Sequence, residues 1–192
     1  MAATLNGESH EQPGWRLLDS RVLHTTPWFT VHHDSVTRPD GSRDVYEHVV
    51  SRGSVTVLAM DTEDRVALTR QWIYTHGTRQ WRLPGGGIDE TDGSPLEAAC
   101  RELAEETGMR AADWAAIGTV HCADSLSNHA EHAFRACGLT SGGTLCLGPG
   151  EADLELHWLP FGTALELVTS GRVPHAGSAY AILMEALRRS VP

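Results

Sequence analysis

The sequence predicts an α/β fold, an α/β/α sandwich around a mixed sheet with a strand-rich extension at its N-terminal side. Three observations predict it. Alternating apolar and polar runs, broken by turn signals, fill residues 15–73. One strongly capped helix follows at residues 94–107. Further strand-like runs and two amphipathic stretches then close the chain, so strands and helices share one layered domain. Its span is residues 15–192, after a polar flexible tail over residues 1–14 that holds Gly7, Pro13 and Gly14.

Strands are expected over Trp15–Thr25 and Trp28–Arg38, the second entering the turn Pro39-Asp40-Gly41-Ser42. There proline fixes φ and glycine supplies freedom. Asp44–Ser51 returns as the other arm. Ser54–Met60 and Arg65–Ile73 are expected to form a second hairpin across Asp61-Thr62-Glu63-Asp64. Leu83-Pro84-Gly85-Gly86-Gly87 breaks regular structure. Ser94 then caps a helix, Pro95 suits its first position, Glu97 completes a capping box and Gly108 stops it. Strands near Trp114–His121, His132–Leu139 and Leu154–Trp158 precede helices near Gly162–Thr169 and Ser178–Arg189. The Gly-rich run at 141–150 reads as a surface loop.

Composition narrows the function. A chain of 192 residues buries roughly 70% of the surface that it exposes unfolded, enough for its own core. The formal charge, 15 − 25 = −10, argues against a nucleic-acid polymer as partner, since backbone binding needs a basic stripe. A small anion stays compatible, because a bound cation reverses the local sign. Cys100, Cys122, Cys137 and Cys146 lack zinc-site spacing and read as buried free thiols. The start carries no secretory pattern and no apolar run spans a membrane, so a reducing cytoplasm is expected.

The chemistry concentrates on the helix. Glu102, Glu105 and Glu106 stand at i, i+3 and i+4 and share a face, while Leu96, Ala99 and Leu103 fall on another that can enter the core. A solvated acidic face is the ordinary alternative. Against it, like charges about 4 Å apart cost roughly 1 kcal/mol per pair in water and ~4 at an effective dielectric of 20. They also crowd toward the helix's C-terminal half, where the macrodipole disfavours anions. A Gly-rich loop lies just upstream. A site for hard divalent cations, Mg²⁺ or Mn²⁺, accounts for all three.

These residues resemble the Nudix box, G-x5-E-x7-R-E-U-x-E-E-x-G-U, where U is bulky and aliphatic. Its second half is complete as Arg101-Glu102-Leu103-Ala104-Glu105-Glu106-Thr107-Gly108-Met109. The first half departs. Counting back from Arg101 gives Gly87 as the first glycine and Gly93 where the first glutamate belongs. Counting forward from Gly86 gives Asp92, with one residue inserted near Gly93-Ser94. The second count is preferred, because it keeps the Leu-Pro-x-Gly loop and a carboxylate. More loosely, Arg70-Gln71-Trp72, Glu155–Pro160 and Ser170–His175 look like the ADP-ribose pyrophosphatase branch. Arg82 stands where that branch often has glutamate, and no proline stands near Asp124.

The resemblance implies an enzyme that attacks a diphosphate with metal-activated water, acting on ADP-ribose or another nucleoside diphosphate sugar. It implies Glu102 and Glu106 as main metal ligands, Glu105 as a further ligand or water partner, and the Gly85 carbonyl as an added one. Arg101 would orient a glutamate, with Gly86, Gly87 and Asp92 supporting the loop. Glu151 is a candidate water-activating base. Both main glutamates are expected to be largely exposed.

Trp28 and Phe29 are candidates to stack on substrate, although strand alternation turns one of them inward. Arg52, Arg79 and Arg82 are candidate phosphate contacts. The eleven histidines show no H-E-x-x-H-like spacing, and no histidine metal site is assigned. The N-terminal strands, 15–52, are expected to form a homodimer interface. Two rivals remain: hydrolysis of a non-nucleotide diphosphate such as an isoprenoid, and a module that senses a nucleotide sugar without cutting it.

Overall fold

The computed structural model describes residues 14–143 and 145–191. The tail expected over residues 1–14 lies outside them except for Gly14. The chain forms two compact units. One runs to Val50 and takes in Ser125–Ser127; the other holds the remainder.

The first unit is a sheet of three strands in the order β1 (Arg16–Thr25), β2 (Phe29–Thr37), β3 (Arg43–Ser51). β1 pairs antiparallel with β2, setting Ser20 opposite Asp34 and Val22 opposite His32. The turn between β2 and β3 falls where the sequence puts it. Gly41 has φ +84° and donates to Arg38 O at 2.9 Å, and Arg38 N–H donates to Ser42 O at 2.8 Å. The chain returns to this unit at residues 125–127, where the Tyr46 hydroxyl donates to Ser125 O at 2.6 Å. Val49 N–H donates to Leu126 O at 2.9 Å.

The second unit holds two further sheets. β4 (Ser54–Ala59), β8 (Ala130–Ser141) and β7 (Met109–His121) form one, in the order β4-β8-β7. β5 (Arg65–Ile73), β6 (Thr78–Arg82) and β9 (Glu155–Pro160) form the other, in the order β6-β5-β9. β4 runs parallel to β8, whereas β7–β8, β5–β6 and β5–β9 are antiparallel, so the strand set is mixed.

The expected hairpin between residues 54–60 and 65–73 does not form as such. One bridge, Met60 to Val66, joins them, and the strands then enter different sheets. Asp61 accepts the N–H groups of Glu63 and Arg65 at 2.9 and 2.8 Å, and Asp64 turns with φ +58°. Both strands are buried along most of their length, β5 at the centre of its sheet and β4 between helices on its two faces, instead of closing a two-stranded ribbon.

Alternation along β4 divides the core. Leu58 packs with Phe161, Ala164, Leu167, Ala181 and Ile182, from α2 (Phe161–Thr169) and α3 (Ala176–Ser190). Val55, Val57 and Ala59 point the other way, to Ala98, Ala99 and Leu103 of α1 (Pro95–Thr107). Helices thus cover opposite faces of β4, the layered α/β arrangement that the sequence predicts. Truncating the fully buried Leu103 to alanine costs about 2–5 kcal/mol.

α1 begins and ends at the expected residues: Ser94 Oγ accepts from Glu97 N–H at 3.2 Å, and Gly108, left-handed at φ +68°, donates to Ala104 O at 2.9 Å. The expected capping box is only half made, because the Glu97 carboxylate accepts the Gly93 N–H at 3.0 Å, one residue before Ser94. Its buried stripe is Ala98, Ala99, Glu102, Leu103 and Glu106. Leu96, expected in the core, is 38% exposed, because the two glutamates rather than Leu96 complete that stripe. The cysteines also differ from expectation. They are free, but Cys100, Cys122 and Cys146 are exposed and Cys137 is half-buried. Cys100 lies off the stripe that Ala99 and Leu103 define.

Candidate functional site

The segment Leu83–Gly87 lies along β4 like an added strand: Val57 N–H donates to Pro84 O at 2.8 Å and Val55 N–H to Gly86 O at 2.9 Å. This pins the loop over α1. A Cβ on Gly86 would run into the Glu102 carboxylate, and one on Gly85 into the Val55 carbonyl. The glycines are what lets backbone and carboxylate come this close.

Arg101 organises the rest. Its Nη1 donates to Glu102 Oε1 at 2.8 Å and to Glu105 Oε2 at 3.0 Å. Its Nε and Nη2 grip the two oxygens of Asp92 at 3.2 and 2.9 Å, and Nη2 also reaches Gly87 O at 2.9 Å. Asp92, the carboxylate found by counting from Gly86, is therefore the one that Arg101 holds. The guanidinium keeps it below the usual carboxylate range. Asp92 also accepts the Asp89 N–H at 2.8 Å, closing the loop on itself. Gly93 donates to Glu97 at 3.0 Å and holds no carboxylate position.

Glu102 and Glu106 are 7% and 4% exposed, contrary to the expectation that both face solvent. The Gly loop roofs them, and the stripe of α1 that carries them also packs on the sheet. Burial pushes the Glu106 carboxyl up to about 8; the Gly85 N–H, donating at 3.0 Å, opposes the rise, and the charges of Glu102 and Glu151 add to it. Burial also raises Glu102, against the pull of Arg101. Glu151 thus bears on both glutamates. It sits in a short 3-10 turn, Pro149–Glu151, and accepts the Gly148 N–H at 2.8 Å. Glu105 keeps about a third of its side chain exposed.

Two buried carboxylates pushed toward protonation, with a third acidic group beside them, form an oxygen-only donor set with too little positive charge. Arg101 is already shared among Asp92, Glu102 and Glu105. A hard divalent cation fits this deficit and these donors. Glu102, Glu106, Glu105 and the Gly85 carbonyl are the groups available to hold it.

A cavity of about 320 Å³ is lined by Gln80, Arg82, His129, Glu131 and His175. Arg82 is half-buried, and its charge bears on both Glu106 and Glu131. Its Nη2 donates to Gln80 Oε1 at 3.2 Å, while Nε is buried without a hydrogen-bond partner among the described residues. Glu131, 2% exposed, accepts from the Thr56 hydroxyl, and His175 Nε2 lies 3.3 Å from it. Sequence reasoning missed Glu131 and His175. A signal existed for the first: in β8 Glu131 shares a face with the buried Ala133, and a carboxylate at a core-facing strand position demands a partner.

The other candidates are placed differently. Arg79 is held by Asp153 at 2.9 Å and Glu155 at 2.8 Å, and Arg52 is ion-paired with Glu90. Neither is brought to the glutamates as Arg82 is. In the first unit Trp28 is 77% exposed and Phe29 is exposed too, so alternation does not turn one inward. Trp28 precedes β2, in a bend where the Thr26 hydroxyl accepts the Trp28 and Phe29 N–H groups at 3.2 and 3.0 Å.

Residues 50–177 match the family model described as NUDIX domain, and residues 15–49 match that of the nucleoside diphosphate sugar hydrolase N-terminal domain. The chain is 32% identical over 159 residues to an ADP-ribose pyrophosphatase of Mycobacterium tuberculosis, covering 81% of this chain and 75% of that protein. It is 29% identical over 171 residues to the CMP-5'-(N-acetyl-N-hydroxy-3-aminopropyl)phosphonate hydrolase of Streptomyces rubellomurinus, covering 88% and 81%. A solved structure described as an ADP compounds hydrolase shares the fold, with a TM-score of 0.78, 22% identity, and coverage of 93% of this chain and 96% of that one.

Proposed function

The chain belongs to the Nudix family of hydrolases, and from that premise we propose that it cleaves a diphosphate linkage, in ADP-ribose or a related nucleoside diphosphate sugar, with Mg²⁺ or Mn²⁺ bound at Glu102 and Glu106. The observation that carries the reading is the burial of those two carboxylates under the Gly85–Gly86 loop, with one raised to about 8. A bound cation supplies charge neutralisation at the diphosphate oxygens and lowers the pKa of water. The chain's own groups do the positioning. Arg101 fixes Glu102 and Glu105, the Gly85 N–H fixes Glu106, and Asp92 fixes Arg101. Glu151 is the candidate to accept the proton of the attacking water, since its charge reaches both glutamates. The products are two monophosphates.

Arg82 is the candidate for a polar group of the substrate beyond the diphosphate, because its buried Nε lacks a partner among the described residues. The charged and hydrogen-bonding side chains among the cavity's lining, Arg82, Gln80, Glu131 and His175, favour a sugar or nucleotide moiety over an isoprenoid tail, which offers them no partner. The relative that acts on a CMP phosphonate keeps a second reading open, a cytidine compound in place of an adenosine one. A panel of ADP-ribose, other nucleotide sugars, CMP conjugates, nucleoside triphosphates and geranyl diphosphate, assayed with Mg²⁺ or Mn²⁺ by product chromatography, tests the proposal. Faster cleavage of a triphosphate than of every other compound refutes the substrate class. No cleavage of any compound refutes the reading altogether.

A second copy of the chain is proposed to cover β1, where Leu17, Leu18, Val22 and Leu23 are all about half exposed. A twofold dimer is the commonest way to bury such a surface. No helix among the described residues is long and apolar enough to cross a membrane, and the free thiols suit the reducing cytoplasm proposed for the chain.

A further inference from the structure

The sheet of the first unit carries a second group of ligand-type side chains, which the proposed hydrolysis does not use. We propose that His32, Asp34 and His48 bind a divalent transition-metal ion of the zinc type. His32 and Asp34 alternate along β2 and so share one face, and His48 reaches that face from the neighbouring β3. One ligand atom from each of the three lies within 4.8 Å of the others, and His48 Nε2 is 2.9 Å from Asp34 Oδ2. In a tetrahedral zinc site with bonds of about 2.0–2.1 Å, ligand atoms stand roughly 3.4 Å apart. Closing the trio on an ion therefore takes side-chain movements on the order of 1 Å, with no change of strand register.

The surroundings favour a cation over a simple ion pair. Asp34 Oδ1 is buried with no well-formed hydrogen bond among the described residues, while Ser20, opposite it on β1, and His48 hold its carboxyl below the usual range, as a charged ligand. The His32 and His48 rings stack with centroids 5.4 Å apart and 27° between planes. His32 has a hydroxyl at each ring nitrogen: Ser20 Oγ at 3.3 Å from Nδ1 and Thr30 Oγ1 at 3.0 Å from Nε2. Whichever nitrogen meets the ion, the other keeps a partner that fixes the ring, as metal-ligating histidines require. Tyr46 stands edge-on to His48 at 6.1 Å, and Trp15 edge-on to Tyr46 at 5.4 Å, so an aromatic wall limits the movement of His48.

The donor set, two imidazoles and one carboxylate, differs in kind from the all-oxygen set on α1. Imidazole suits zinc, nickel, copper and iron, and magnesium prefers oxygen. Three protein ligands leave a fourth position open. An ion here would tie β2 to β3, and through Ser20 to β1, stapling a small sheet.

The test uses the full chain in excess Mg²⁺, titrated with Zn²⁺ alone by calorimetry and with Co²⁺ alone by visible absorption. One Zn²⁺ per chain is expected, with Co²⁺ giving the intense visible bands of a low-coordinate nitrogen–oxygen site. His48→Gln and His32→Asn, each made separately, should weaken Zn²⁺ at least ~10-fold and remove those bands. Both should leave Mg²⁺-dependent hydrolysis unchanged, which also reports that they fold. Glu102→Gln/Glu106→Gln should keep the Zn²⁺ site. Unaltered Zn²⁺ binding in either histidine variant, or loss of it in the double glutamate variant alone, overturns the proposal. So does a wild-type Co²⁺ spectrum with only the weak bands of octahedral water ligation, a readout that depends on no variant.

Discussion

The loop–helix region around α1 and the three-stranded sheet of the first unit both gather carboxylates and other polar groups, but they hold them in opposite ways. On α1 the acidic residues are part of the buried stripe, roofed by the Gly85–Gly86 backbone and laced by one arginine. In the first unit β1 is exposed along its whole length, and the ligand-type groups of β2 and β3 are only half-buried. Burial stores charge frustration in the first case; exposure leaves surface for a partner in the second. On the proposed reading, chemistry belongs where desolvation has raised a carboxyl to about 8, and assembly where apolar side chains remain uncovered.

The sharpest break in that comparison comes from the buried pair. Glu102→Gln and Glu106→Gln are each expected to lower kcat at least ~100-fold at saturating metal, with folding retained. Glutamine keeps the shape and replaces an ionisable group whose charged form burial disfavours, so the metal-free chain should not lose stability. Wild-type turnover in a folded variant, measured by product release, removes Glu102 and Glu106 from the chemistry.

Asp92 tests the support beneath them. Asp92→Ala strips Arg101 of two hydrogen bonds and leaves the Asp89 N–H without its acceptor. A loss of about 2–3 kcal/mol in urea unfolding is expected, the usual range for a charged hydrogen-bonded partner, with a smaller fall in kcat. Unchanged stability would mean that Arg101 is held well enough by Glu102, Glu105 and Gly87.

How much of this was readable from residues follows from which forces are local. The capping of α1 by Ser94 and Pro95, its stop at Gly108 and the turn at Gly41 depend on neighbours in sequence, and all appear where read. So does the choice of Asp92 over Gly93 as the carboxylate beside Arg101, since that rests on counting along one loop. The burial of Glu102 and Glu106 was not readable. It depends on a loop folding back along β4, a contact between residues that the helix pattern says nothing about. The hairpin expected between β4 and β5 failed for the same reason, as a short turn signals proximity but not which strands fill the remaining edges. β6, Thr78–Arg82, was missed because Arg79, Gln80 and Arg82 interrupt any apolar alternation; β5 recruits it through pairing. His32-x-Asp34 puts both side chains on one face of a strand, a spacing that the helical H-E-x-x-H pattern does not describe.

Linkage separates the buried site from the rest of the molecule through pH. An unfolded glutamate loses its proton near 4.5, whereas folded Glu106 keeps it up to about 8. Between those values the folded chain binds more protons than the unfolded one, so this group makes metal-free stability fall as pH rises, by up to about 1.4 kcal/mol per pH unit. Below about pH 4.5 the contribution is fully present, and above about 8 it is gone. Glu106→Gln should flatten that slope, so the variant should gain on the wild type steadily from pH 5 to pH 8 in urea melts with chelator. Parallel curves would show that Glu106 is not desolvated as its burial implies. His175, lowered by burial, works in the opposite direction near neutral pH, which is why the difference between the two chains is read and not either slope alone.

The smallest effect on stability should accompany a clear effect on assembly. Leu17 and Val22 of β1 are 58% and 52% exposed, so Leu17→Ser/Val22→Ser removes little buried area within one chain. Surface changes of this sort usually shift stability by no more than about 0.5 kcal/mol. If a second copy covers β1, the same pair removes apolar contacts from both sides of a twofold interface at once, and every lost contact counts twice. Light scattering at micromolar concentration should then report a dimer for the wild type and a monomer for the variant, with closely similar unfolding midpoints once each is diluted to monomer. A wild-type monomer at that concentration would leave the uncovered apolar face of β1 to some other partner. A variant that stayed dimeric would move the interface away from Leu17 and Val22 while keeping the twofold assembly.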